Sequence, residues 1–359
     1  MMSSIPMNSL HAIAEQFAET VIDVAPLGNG LINDTFLVTT GSAPLVLQRI
    51  NCRVFPHPER IMANLNVLDR HLRQKQTGSV DLRIPEIVPT RQGETHVRDQ
   101  EGDLWRALSF IENSESLETI RTLDDAEQAG RALGRFHRLL GDLDPGLMMD
   151  TLPGFHVTPG YLECYRQAAE SASVPATPES RYCADFIEAY GGIAGDLERA
   201  KEEGLLRLRV IHGDPKLNNF LFDKRSKEAV GLVDLDTVKP GLLHYDVGDC
   251  LRSCCLIPDT GEFDSEIAAA ILAGYLNETA SFFTEPDYDY LYSAIRLLPF
   301  ELGLRFYTDH LEGDRYFKVS EPGRNLSRAA EQFRLCGSVM RQESKIKGLI
   351  DGFRTKAPG

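Results

Sequence analysis

Apolar residues recur along the chain at two different spacings, and the change from one to the other divides it. Leu10, Ile13, Ala14 and Phe17 fall at helical spacing, so a helix is predicted over 9–20, with Asn8 or Ser9 able to cap its first turn. Short runs rich in β-branched and apolar residues follow, VIDVAPL, TFLVTT and LVLQRIN, separated by GNGLIND and GSAP. Gly, Asn, Asp and Pro supply turn geometry between strands, so these runs predict an antiparallel meander. Ile61, Leu65, Leu68 and Leu72 restore the helical period over 58–73, and RIPEIVPT, THVRD and LWRALSFIE predict further strands. From Asp124 the helical period dominates: Ala129, Leu133, Phe136 and Leu140 mark one helix, and others are expected at about 160–171, 180–202, 265–283, 287–311 and 324–347. The segment 206–239 interrupts them with the strand-like LRLRVI, NFLF and AVGLVDL.

This division predicts an α+β chain of two lobes. A β-rich lobe over 1–112 precedes a larger, mainly helical lobe over 113–359, and the polar ENSES at 112–116 reads as a hinge beside a cleft. With 359 residues, 42% of them apolar, the chain can bury a sizeable core. The formal charge of −15, from 53 acidic against 38 basic residues with no basic cluster, argues against a nucleic-acid partner. No apolar run is long enough to span a membrane, and the N-terminal MMSSIPMNSLHAIAEQF lacks a basic segment followed by an apolar one, so a cytoplasmic location is expected. Seven cysteines without a CxxC pair suit a reducing compartment, and Cys250 and Cys254, one helical turn apart, read as buried apolar thiols. A monomer and a homodimer are both compatible with these features.

Candidate chemistry concentrates in VIHGDPKLNNFLFD, residues 210–223, where a polar group sits between two apolar runs. His212, Asp214, Lys216 and Asn219 stand at the spacing HxDxKxxN, and Asp234 follows at the end of an apolar strand. Phosphoryl transfer needs a carboxylate to orient the attacking hydroxyl and accept its proton, and hard oxygen ligands to hold Mg²⁺ against the phosphates. One Asp with an Asn five residues on, plus a second Asp on a neighbouring hairpin, supplies both. His212 is expected to orient the loop backbone rather than react. Asp246, Asp249 and Arg252, at the start of a predicted helix, read as scaffold for the loop. Arg305 shares a helical face with Leu298 and Leu302, where a guanidinium is costly unless it has a partner.

HGDPKLNN followed by LVDLDTVKPG resembles the aminoglycoside phosphotransferase-like small-molecule kinases, whose bilobal fold is that of protein kinases. DLD stands where a protein kinase has DFG, and no APE segment follows. LGNGLINDTFLVTT, LQRIN, FPHPERIMANL, HYDVGDCLR and LGLRFYTDHLEGDRYF together are similar to the N-acetylhexosamine 1-kinases, over about residues 10 to 345. The resemblance implies a phosphotransferase using ATP and Mg²⁺ on a small-molecule sugar. It implies Asp214 as catalytic base, Asn219 and Asp234 as Mg²⁺ ligands, and Asp236 beside them in contact with metal or substrate. Gly28 and Gly30 would turn over the phosphates, Phe110 and Ile111 would line the adenine pocket, and Gln48 and Lys216 would face the nucleotide. Arg305 and Tyr316 would hold the sugar, and Asn33, polar and two residues from Leu31, would add a contact to it.

Two departures stand out. Gln48 and Arg49 occupy the strand position of the protein-kinase phosphate lysine, which the N-acetylhexosamine kinases also lack. Leu31 stands where those kinases place a sugar-contacting His, with the polar Asn33 two residues on. Other readings stay open at this point: a kinase of the same fold acting on a choline-, homoserine- or aminoglycoside-type acceptor, and an aspartate-nucleophile phosphatase using Asp234, since GLVDLDTV also fits that motif. A non-catalytic nucleotide-binding module would be expected to have lost Asp214 or Asp234, and both are present.

Overall fold

The alternating runs of the first lobe form one antiparallel sheet in the computed structural model, which describes residues 7–28, 32–75, 82–172, 175, 177–258, 260–319 and 321–355. Helix α1 (Met7–Ala14) leads into β1 (Val21–Pro26), β2 (Asp34–Thr40) and β3 (Leu45–Arg49). Helix α2 (Pro58–Gln74) then gives way to β4 (Ile87–Val88), β5 (Val97–Arg98) and β6 (Leu104–Ser109). The strand order is β1-β2-β3-β6-β4, with β5 on the same edge of β6 as β4 but further along it. Leu47, Trp105 and Ala107 from the sheet meet Leu10, Ala14 and Phe17 in a core of their own. The predicted strands RIPEIVPT and THVRD shrink to two residues each. Pro85 and Pro89 flank Ile87–Val88 and carry no amide hydrogen, so the ladder stops on both sides. Helix α1 ends before the predicted residue 20, in turns closed by Gln16 N to Ile13 O and Phe17 N to Ala14 O.

Past the sheet, ENSES is not a bare linker. It contains β7 (Ser114–Ser116), which pairs with a strand of the second lobe. Helices α3 (Leu123–Leu140), α4 (Thr158–Ser171), α5 (Pro178–Tyr190) and α6 (Asp196–Glu202) follow. The single helix predicted over 180–202 is broken by Gly191, Gly192 and Gly195 into α5, a short 3₁₀ turn and α6, as the poor helix propensity of glycine favours. Strands β8 (Arg209–Ile211), β9 (Phe220–Asp223), β10 (Ala229–Leu232) and β11 (Lys239–Gly241) form two small antiparallel sheets, β10-β9-β7 and β11-β8. Helices α7 (Leu243–Cys254), α8 (Ser265–Thr279), α9 (Glu285–Leu311), α10 (Arg324–Arg341) and α11 (Glu343–Arg354) complete the chain, the last two separated at Gln342 where one helix to 347 was predicted.

The helices pack around α3 and α9. Helices α3 and α8 approach so closely that a Cβ on Gly274 would lie 2.1 Å from the carbonyl oxygen of Glu127, so only a residue without a side chain fits the crossing. Cys250 and Cys254 lie buried on one face of α7, within the core. Backbone hydrogen bonds also tie the lobes. Arg83 N donates to Val230 O at 2.8 Å, and Leu232 N donates back to Arg83 O at 3.3 Å. The result is the α+β, bilobal architecture expected from the sequence, with the 212–236 segment beneath the sheet.

Candidate active site

Asp214, Lys216, Asn219 and Asp234 converge because two hairpin-like connections end side by side. Strand β8 stops at Ile211, the loop 212–216 leads into a 3₁₀ turn at Leu217–Asn219, and β9 begins at once. Strand β10 ends at Leu232, and Val233 N donates to Asn219 O at 2.9 Å, which brings Asp234 beside the loop. Asp234 has left-handed backbone angles, φ 67° and ψ 58°, a conformation rare for residues with a side chain and common where function demands it. Lys216 Nζ lies 2.5 Å from Asp214 Oδ2 and 3.8 Å from Asp234 Oδ2, between the two carboxylates. Burial works against the Lys216 ammonium, but the two carboxylates outweigh it and raise its pKa. Asn219 Nδ2 donates to Asp214 O at 2.7 Å, which leaves its Oδ1 free to act as a ligand. The Asp214 and Asp234 side chains remain 29% and 40% exposed, enough to meet a substrate.

Hard oxygens from Asn219 and Asp234 fit Mg²⁺, which takes few protein ligands and completes its shell with water and phosphate. Among the described residues no group of three or more His, Cys, Asp or Glu could hold a metal by itself. Strand β10 pairs antiparallel with β9, so Asp234 does not end the first strand of a parallel sheet as the phosphatase reading requires.

The loop backbone is clamped from below. Asp246 on α7 accepts His212 N at 2.7 Å on Oδ2 and Gly213 N at 2.8 Å on Oδ1, and His137 Nε2 lies 2.8 Å from the same Oδ2. His212 uses its ring for the backbone, with Nε2 3.0 Å from Val233 O and Nδ1 accepting Asp214 N at 3.3 Å. Gly213 has φ 85°, and a Cβ there would stand 2.6 Å from Thr237 O, so the turn before Asp214 needs glycine. Asp249 and Arg252 pair on α7 at 2.7 Å.

Four further predicted residues form the roof of the cleft or support it. Arg106 on β6 was not singled out in the sequence, and it organises three of them. Its guanidinium, buried, pairs with Asp236 Oδ1 and donates to Gln48 Oε1 at 2.8 and 3.1 Å. Asn33 Nδ2 donates to the other Asp236 oxygen at 2.6 Å. Arg106 thus joins Gln48, opposite it in the β3–β6 register, to Asp236 across the lobes, and Asn33 reaches the same carboxylate. Burial, reinforced by Asp234, pushes the Asp236 carboxyl up against the pull of Arg106. A lone Arg in an apolar strand, LWRALS, was the available signal. Gly28 has φ 68° with open space around a Cβ position, while Gly30 and Leu31 lie outside the described residues.

Arg305, on α9, sits within a ring of aromatic side chains. Its guanidinium carbon lies 5.0 Å from the Tyr161 ring centre, 5.1 Å from Phe155, 5.5 Å from Phe317 and 5.9 Å from Tyr316. Such faces stabilise a cation without consuming its N–H donors. Burial opposes the charge, but Tyr161, Glu301, Tyr316 and Asp214 outweigh it and raise the pKa. The loop bearing Tyr316 is pinned by Asp309, which accepts the backbone N–H groups of Arg315, Tyr316 and Phe317 at 2.8, 2.7 and 2.9 Å. Phe110 and Ile111 line a cavity of about 1060 Å³ together with Leu65, Ile84 and Arg138, and neither Asp214, Asn219 nor Asp234 is in its walls.

A model of the phosphotransferase enzyme family matches residues 23–289. Among solved structures, the chain is similar to an aminoglycoside phosphotransferase from Alicyclobacillus acidocaldarius, at 14% identity and a TM-score of 0.64 over 99% of this chain and 97% of that one. It is also similar to the GDP complex of aminoglycoside 2'-phosphotransferase-IIIa, at 16% identity and 0.60 over 92% and 99%. A microcompartment-associated aminopropanol kinase matches at 18% identity and 0.59 over 95% and 98%. Among the described residues no helix is long and apolar enough to cross a membrane.

Proposed function

We propose that this chain, which belongs to the phosphotransferase enzyme family, transfers the γ-phosphate of ATP to a sugar hydroxyl, the anomeric hydroxyl of an N-acetylhexosamine. The observation that carries the reaction is the convergence of Asp214, Lys216, Asn219 and Asp234 on one small region. Asp214 orients the acceptor hydroxyl and takes its proton. Lys216, between the two carboxylates, relieves their mutual repulsion and offers donors to the transferred group. Asn219 and Asp234 would hold Mg²⁺, which neutralises negative charge on the nucleotide phosphates when bound. The first lobe, to about Glu112, covers the nucleotide, and Phe110 and Ile111 face its base.

Arg305 supports the sugar. Among the described residues no carboxylate pairs with its guanidinium, which the rings face instead, so its donors are free for hydroxyl or acetamido oxygens, and the same rings offer flat apolar faces to a pyranose. A cationic amino alcohol would meet this guanidinium and be repelled, which disfavours the acceptor that the aminopropanol kinase takes. The test is MgATP consumption across N-acetylglucosamine, N-acetylgalactosamine, glucose, galactose and 1-amino-2-propanol, with the product phosphate located by NMR. Turnover is expected with the acetamido sugars and phosphate at C1. Turnover with the amino alcohol alone would overturn the sugar assignment.

Arg305→Met keeps most of the volume between the rings and removes the donors. The acceptor KM is expected to rise about 10- to 100-fold, the equivalent of roughly 1.5–3 kcal/mol for a hydrogen bond to a charged group, with the KM for MgATP unchanged. Equal changes in both constants would remove Arg305 from the acceptor site.

A further inference from the structure

The carbonyl of Gly213, which adjoins Asp214, is held by a residue far away in the chain. His156 Nε2 lies 2.8 Å from Gly213 O, and His156 Nδ1 lies 2.9 Å from Glu301 Oε1. Gly213 O can only accept, and so does Glu301 when ionised, so this geometry suits an imidazolium with hydrogen on both ring nitrogens. The pair is sealed from solvent, with side chains only 3% and 1% exposed. The ring is packed between Phe155, at 4.0 Å, and Tyr245, at 5.2 Å. Glu301 Oε2 accepts Thr158 Oγ1 at 2.7 Å, which fixes the carboxylate in turn. Burial opposes both charges, but each partner's charge outweighs it, raising the pKa of His156 and lowering that of Glu301.

Two observations indicate that this arrangement serves more than stability. A buried ion pair is a poor source of stability, because apolar residues of similar volume often do as well. His156 also has φ 66°, a left-handed backbone that costs free energy in a residue with a side chain. The loop that carries it is fastened by Lys239, whose Nζ donates to Asp150 at 3.1 Å and to Phe155 O at 3.1 Å. Glu301 stands one helical turn before Arg305 on α9. The pair therefore connects the helix bearing the acceptor-side arginine to the peptide that precedes Asp214.

We propose that His156, anchored by Glu301, is a positioning residue: it fixes the Gly213 carbonyl and so the orientation in which Asp214 meets the acceptor hydroxyl. This inference rests on the kinase reading above. The experiment compares His156→Asn, Glu301→Ala, Glu301→Gln and the double variant His156→Asn/Glu301→Ala by kcat, both KM values, MgADP affinity and Tm. In His156→Asn and Glu301→Ala, kcat is expected to fall about 10- to 100-fold, the scale of a misplaced reacting group, with MgADP affinity and the KM for MgATP unchanged. The double variant is expected to be no worse than the poorer single one, because the two residues act as a unit. Glu301→Gln, which still reaches Nδ1 with a hydrogen-bonding group, is expected to recover part of the loss.

Side-chain ¹⁵N shifts give a reading independent of turnover, with both His156 nitrogens protonated at neutral pH in the unmodified protein and one of them bare in Glu301→Gln. A neutral His156 in the unmodified protein, a normal kcat in His156→Asn, or a fall in kcat matched by equal losses of MgADP affinity and Tm would overturn the proposal. Absence of transfer by the unmodified protein to any acceptor would instead sink the kinase reading and this inference with it.

Discussion

Asp214→Asn is expected to lower phosphoryl transfer by about 10²- to 10⁴-fold, the contribution typical of a positioned general base, while MgATP still binds. The amide has the shape of the carboxylate but cannot take a proton. The replacement leaves the loop intact, because the clamp on it runs through the backbone: His212 N and Gly213 N go to Asp246, and Asn219 Nδ2 goes to Asp214 O. Lys216 loses its partner at 2.5 Å but keeps Asp234 within 3.8 Å, so its charge remains balanced. The measurement is kcat with the best acceptor from the sugar panel beside the calorimetric affinity for MgATP. Near-normal turnover would remove Asp214 as the base, and a parallel loss of MgATP binding would mean that the substitution had disturbed the metal-binding side of the site instead.

Much of this site was legible because it is local. HxDxKxxN lies within one loop, and a short hairpin returns Asp234 to it, so spacing alone was nearly a statement of proximity. The long strands and helices were legible for the same reason, each declaring itself by its own period, whereas the three-residue β7 and β11 carry no period to read. What spacing could not convey was contact across the chain. Nothing in the spacing singled out Arg106, a lone charge in an apolar strand, yet it is buried against Asp236, a residue 130 positions away. His156 and Glu301 sit in segments with no motif, and their pairing depends on how α9 packs beside the loop 150–157. Asp246 was read as scaffold from its place near a helix start, but its service to two successive loop amides follows from the crossing of α7 with β8. The β4 segment was over-read because proline's missing donor matters only once the partner strand is known.

Asp246→Ala is expected to destabilise the fold by about 3–5 kcal/mol, the usual cost of breaking a buried charged network by removing one member. The carboxylate divides its work: Oδ1 accepts Gly213 N, while Oδ2 accepts His212 N and meets His137 Nε2. Its removal leaves two backbone N–H groups in a site closed to water, each costing about 1–3 kcal/mol if unsatisfied. His137 is fixed on its other side, where Nδ1 lies 2.9 Å from Tyr275 OH, so its ring is not free to turn and compensate. Asp246→Asn should fall nearly as far. An amide offers one acceptor oxygen, so one of the two loop amides would face an N–H group instead. Denaturant unfolding followed by the circular dichroism of the helical lobe measures the loss. The same variants should lose turnover beyond the loss of folded protein, because Gly213 and His212 set the backbone from which Asp214 projects. A Tm close to that of the unmodified protein in both variants would show that the loop amides find other partners and that Asp246 is dispensable to the catalytic loop.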